Sequence, residues 1–156
     1  MNKIATGFLM LIATILMTGC KSVQKENYSF YVGTYTQKDS KGIYKYEISS
    51  EGELHKTGLV AETVNPTFLV KSKDNKTLFA VGEINENGTG FVKSFRIEKD
   101  SLQLISKEES GGAGPCFVAL NDENYIVTAN YGGGSVGLLK ADASGKLSSL
   151  LNVQQH

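Results

Sequence analysis

The sequence contains no tryptophan, two prolines, two cysteines, two histidines and one arginine, Arg96, in 156 residues. Two cysteines exclude a disulfide-rich scaffold and a four-cysteine zinc site. Cys116 has no partner nearby in sequence and is expected to pack as a small apolar side chain. Sixteen basic residues balance sixteen acidic ones, with no basic run, so a nucleic-acid binder relying on phosphate contacts is excluded. No set of residues has metal-ligand spacing, and neither a metal nor a cofactor is expected. What the chain does have is glycine, 17 residues or about 11% against a usual ~7%. With 40% hydrophobic and 21% charged residues, this composition describes a folded domain of many short strands joined by glycine turns.

The first twenty residues stand apart. Lys3 precedes an uncharged apolar run from Ile4 to Met17, followed by Thr18-Gly19-Cys20. A run of 14 residues falls short of the about 20 needed to span a bilayer, but a basic start and small residues before a cut site fit a secretory signal. Thr-Gly-Cys resembles a bacterial lipobox, which implies lipidation of Cys20. Residues 1–20 are therefore expected to be a leader, and 21–27 (KSVQKEN) a polar tether. The domain at 28–156 is expected to be exported and held to a membrane by that lipid, in the periplasm or at the cell surface. Without residues 1–20 the chain keeps 15 basic and 16 acidic residues, so a basic membrane patch is not expected.

The remainder repeats itself. Asn65-Pro66-Thr67-Phe68 aligns with Gly114-Pro115-Cys116-Phe117, and Leu78 to Glu83 aligns with Tyr125 to Asn130. Phe30 to Thr34 aligns with Phe79 to Glu83, and Gly42-Ile43-Tyr44 with Gly90-Phe91-Val92. These offsets cluster near 48 residues. β-branched and aromatic runs separated by Gly, Asn and Asp read as strands near 28–35, 41–48, 55–62, 66–71, 77–83, 90–97, 102–108, 116–120, 124–130, 134–140 and 147–154. Asn87-Gly88 is a hairpin turn. Four strands per ~45 residues mark a β-propeller blade. The fold class is thus all-β: blades of four antiparallel strands, about 2.75 of them, in a ring that is not closed. The first set lacks the counterpart of 66–71, so open strand edges available for pairing are expected.

Tyr31-Val32-Gly33-Thr34-Tyr35-Thr36, Gly42-Ile43-Tyr44, Asn65-Pro66-Thr67-Phe68-Leu69, Gly114-Pro115-Cys116, Ala129-Asn130-Tyr131-Gly132-Gly133-Gly134-Ser135-Val136 and Val153-Gln154-Gln155-His156 follow in order. Together they resemble the N-terminal part of the lactonase family of seven-bladed propellers, the 6-phosphogluconolactonase-like proteins. The resemblance implies a hydrolase that opens a sugar lactone to its acid, with a small-molecule lactone as partner. The family's later Arg-Gln and Pro-His-x-His segments are not in this sequence, so the 156 residues alone are expected to be inactive.

Propeller topology places Thr34, Glu83 and Asn130, read as equivalent positions, on one face with His156. Glu83 and His156 are the catalytic candidates: a carboxylate can activate water, and an imidazole suits general-base work near neutral pH. Asn130, Tyr131 and Thr34 are the substrate-binding candidates. Arg96 lies in a third strand, away from the channel, and His55 reads as surface. Gly132-x-Gly134-x-x-Gly137 precedes a strand rather than a helix, which excludes a dinucleotide site. Gly111 to Pro115 reads as a blade-to-blade turn. The competing readings are a non-enzymatic exported propeller lipoprotein that binds a glycan or protein, and an inactive remnant. An exported position favours an unphosphorylated lactone.

Overall fold

The computed structural model describes residues 28–156. Cys20, the leader and the tether lie outside the described residues. Eleven strands form three antiparallel sheets, and no helix occurs among the described residues. The first sheet holds β1 (Tyr28–Val32), β2 (Gly42–Ile48) and β3 (Leu54–Glu62). The second holds β4 (Leu69–Lys71), β5 (Thr77–Glu86), β6 (Thr89–Ile97) and β7 (Leu102–Glu109). The third holds β8 (Pro115–Leu120), β9 (Tyr125–Asn130), β10 (Ser135–Lys140) and β11 (Asn152–Gln155). Each sheet is an up-and-down meander in chain order. Among the described residues, the first has no counterpart of the innermost strand that β4 and β8 supply to the others, as the repeat arithmetic predicts. These are propeller blades, in an unclosed ring.

The core is two seams between sheets. β5 alternates across them. Leu78 and Ala80 join Ile43, Val60, Phe95 and Leu102 between the first and second sheets. Phe79 and Val81 join Val92, Val118, Ile126 and Leu139 between the second and third. A strand buried on both faces reads as a continuous apolar run, which is why Thr77 to Gly82 is wholly buried.

Asparagine sets the turns. Asn75 and Asn124, one repeat apart, both take positive φ (58° and 64°), and Asn87-Gly88 does so at 54° and 87°. The last pair has the sign pattern of a type I′ hairpin turn.

Three expectations need correction. The innermost strand of the second sheet begins at Leu69, not 66, because Asn65 takes φ 41° and its carbonyl accepts the Thr67 N–H in a tight turn. The last strand begins at Asn152, not 147. The Asp142 carboxylate gathers the Ser144 and Lys146 N–H groups into a turn, leaving Leu147 in an isolated bridge to Ala141. Cys116 is exposed rather than packed. A register shift between Pro115 and Phe117 turns it out at the inner edge, with Sγ 3.8 Å from the Ala129 carbonyl oxygen.

Candidate functional site

β1, β5 and β9 end on the side where β3 and β7 lead into the next sheet, so one end gathers these segments. Backbone bonds define equivalent positions there. The N–H groups of Thr63, Ser110 and His156 donate to the carbonyls of Lys41, Gly90 and Gly134. Continuing each strand-pair register to those residues sets Tyr35, Glu83 and Tyr131 opposite them. Two further bonds agree: Glu83 N donates to Asn65 O (3.0 Å) and Tyr131 N to Gly114 O (2.9 Å). Asn65 and Gly114 are themselves equivalent, both with positive φ.

This corrects the expected set. Glu83 shares its place with Tyr35 and Tyr131, whereas Thr34 and Asn130 share theirs with Gly82. Aligning Gly33 with Gly82, and Glu83 with Asn130, slips the register by one residue in each case. A slip of one turns every side chain to the opposite face.

Glu83 is the centre of the cluster. The Tyr35 hydroxyl donates to Oε1 at 2.7 Å from the neighbouring sheet, and Thr67 Oγ1 donates to Oε2 at 2.5 Å. Asn65 braces the group from below. Its Nδ2 donates to the Glu83 carbonyl (3.1 Å), while its Oδ1 accepts from the Thr36 N–H (2.9 Å) and hydroxyl (3.1 Å). The carboxylate is thus fixed by two charge-assisted bonds, yet each oxygen keeps a second lone pair. The bond to Glu83 is the main reason the Tyr35 phenol titrates above its ordinary 10.0, with burial, the Glu83 charge and the Cys116 thiol adding to it. Tyr35 is nonetheless 55% exposed, beside a hollow of about 330 Å³ lined also by Gln37, Lys38, Asp39 and Ser40. Cys116 occupies Thr67's place in the third sheet, so the thiol belongs to the same lip.

The other candidates divide. Thr34 is half-buried and donates to the Gly42 carbonyl at 2.8 Å, closing its own loop. Asn130 is 2% exposed; its Nδ2 donates to Ser110 O and Ser135 Oγ, both at 3.1 Å, which pins the crossover from the second sheet. Its Oδ1 is buried without a partner. Tyr131 is 87% exposed, carried on the three-glycine loop. Gly133 donates to the Ala113 carbonyl, and Gln155 Nε2 donates to the carbonyls of Gly133 (2.9 Å) and Gly134 (3.1 Å).

His156 is exposed at the end of the outermost strand of the third sheet. Its counterpart Thr63 accepts a bond from Lys93 of the following sheet, so this position looks outward along the ring. Among the described residues, no bond joins the His156 ring to the Glu83 cluster. Tyr35 and Thr67 carry no role in the sequence reading, although both lie inside the segments it singles out. The register slip hid Tyr35. Arg96 pairs with Thr77, at the opposite end of the second sheet from Glu83. Among the described residues, no group of three or more His, Cys, Asp or Glu side chains could hold a metal ion.

The model of the lactonase family, 7-bladed beta-propeller, matches residues 29–156. The chain belongs to that family. It is 34% identical over 133 residues to a 6-phosphogluconolactonase of Bacillus subtilis, covering 83% of this chain and 38% of that one. Its fold superposes on a periplasmic gluconolactonase of Pseudomonas aeruginosa with a TM-score of 0.77 and 32% identity, over 84% of this chain and 39% of that one. A candidate 6-phosphogluconolactonase of Bacteroides fragilis gives 0.78 and 33%, over 86% and 38%. The chain therefore spans under two fifths of the length of these relatives.

Proposed function

We propose that this chain supplies part of the substrate site of an exported lactone hydrolase acting on a hydroxylated sugar lactone. The observation that carries the reading is Glu83, held between Tyr35 and Thr67 at the end where the blades cross over, in a chain of the lactonase family. In this reading Glu83 accepts substrate hydroxyls and orients the ring, while Tyr131 presents an exposed phenol on the same end. His156, at the outer strand end, is the residue for taking a proton from water. Ester opening builds negative charge on the carbonyl oxygen, which needs preorganised donors. Arg96 stands at the wrong end for this. The reading assigns those donors to the more than three fifths of the relatives' length that this chain does not cover.

Export through a lipid on Cys20, outside the described residues, favours an unphosphorylated lactone, and the fixed Glu83 charge opposes a phosphate nearby. The test is acid release from glucono-δ-lactone and its 6-phosphate by the full-length protein. Hydrolysis is expected with preference for the unphosphorylated lactone. No hydrolysis of either overturns the reading, and a strong preference for the phosphate overturns the substrate assignment.

A further inference from the structure

We propose that Tyr35 is a specificity-determining residue: with Glu83 it reads a pair of neighbouring hydroxyls on the lactone. This rests on the reading of the Glu83 end as the substrate site. Tyr35 Oη and Glu83 Oε1 lie 2.7 Å apart, on the scale of one hydrogen bond. The phenol spends its only proton on the carboxylate, so its oxygen is left to act as an acceptor. Glu83 Oε1 keeps a second lone pair beside it. Two acceptors at this spacing, one on an anion, match two adjacent O–H donors of a polyol. They offer nothing to a lactone without hydroxyls.

The pair is also preorganised. Tyr35 comes from the first sheet and Glu83 from the second, and Asn65 locks their relative position by bonding Thr36 on one side and the Glu83 backbone on the other. Thr67 takes the far oxygen, so the carboxylate cannot rotate away. Tyr35 is exposed and Glu83 is half-buried, so a ligand can reach the pair. A site that pairs with substrate hydroxyls rejects analogues lacking them far more strongly than an apolar pocket separates homologues.

The experiment compares wild-type, Tyr35→Phe and Glu83→Gln forms of the full-length protein on glucono-δ-lactone and on δ-valerolactone, which has no hydroxyls. Tyr35→Phe keeps the ring and deletes only the oxygen. It is expected to lower kcat/KM for gluconolactone about tenfold, mainly through KM, and to change δ-valerolactone by less than twofold. Equal losses on both lactones, or no loss on either, overturn the proposal. Glu83→Gln separates the two levels. If it strongly impairs gluconolactone hydrolysis while Tyr35→Phe does not, the role of Tyr35 fails and the site stands. If Glu83→Gln retains wild-type kcat/KM, the site reading and the proposal fall together.

Discussion

At Glu83 the carboxylate has no freedom left. Two donors from two different connecting segments hold it, and one of them, Tyr35, reaches across from the segment that follows β1 of the neighbouring sheet. That bond also acts on the ionisation of Tyr35. Stabilising the neutral phenol raises its folded value above the ordinary 10.0, so the bond's contribution is whole below about pH 10 and is lost as pH rises through the folded value. The Glu83 hydrogen bond is the first cause, so Glu83→Gln is expected to bring the phenol down toward its ordinary value. Tyrosinate absorbance, taken as wild type minus Tyr35→Phe in each background, reads the change directly. A Tyr35 titration unmoved by Glu83→Gln would mean that burial and the Cys116 thiol set it without Glu83. Asn65 shows the same economy. A small polar side chain tolerates the φ of 41° that starts the crossover, and its amide then serves both sheets.

Among the elements, a glycine within a strand shows how tightly the sheets and crossovers meet. In β10 a Cβ on Gly137 would lie 2.0 Å from the Ser110 carbonyl oxygen, which already accepts Thr128 Oγ1 (2.7 Å) and Asn130 Nδ2 (3.1 Å). Gly137→Ala must push the crossover off the third sheet, and a cost of about 3 kcal/mol or more is expected from overpacking against backbone. Gly52→Ala is the control. Nothing lies within 4 Å there, so only its φ of 86° resists, at about 1–2 kcal/mol. Urea midpoints of the two variants measure the difference, and equal losses would contradict it. Such elements show what was legible in the sequence. Strand number and order follow from the 48-residue repeat, because most turns are marked by Asn or Gly with positive φ, although the β6–β7 turn at 98–101 is not. The strand starts near residues 66 and 147 were not legible, since a left-handed Asn65 and an Asp142-capped turn break strands that apolar content alone would continue. Nor was the pairing register, because Gly33 and Gly82 look equivalent in a string of letters. Only the strand-pair register, carried on past Val32, sets Tyr35 rather than Thr34 at Glu83's place. Cys116 was misread for a related reason: a bulge decides its exposure, and no letter marks the bulge.

As a whole, the molecule is a run of sheets joined at seams, and its polar residues sort by end. Tyr35, Glu83, Tyr131 and the crossovers share one end, whereas Arg96 and the Asn75 and Asn124 turns lie at the other. The candidate set was legible as an end of the fold, since strand order fixes ends. Its internal roles were not. Asn130 proves to be a buried brace for the crossover, and His156 stands on the outermost strand. The family match fixes the architecture, while the chain's share of its relatives, under two fifths, leaves the activity to be measured on the full-length protein. The most direct test of the central claim is a crystal structure of that protein soaked with gluconate, the acid that opening of glucono-δ-lactone would release. The account predicts the acid at the crossover end, with hydroxyls against Glu83 Oε1 and Tyr35 Oη. Gluconate bound at the opposite end or on the outer rim, with the Tyr35–Glu83 bond untouched, would contradict it.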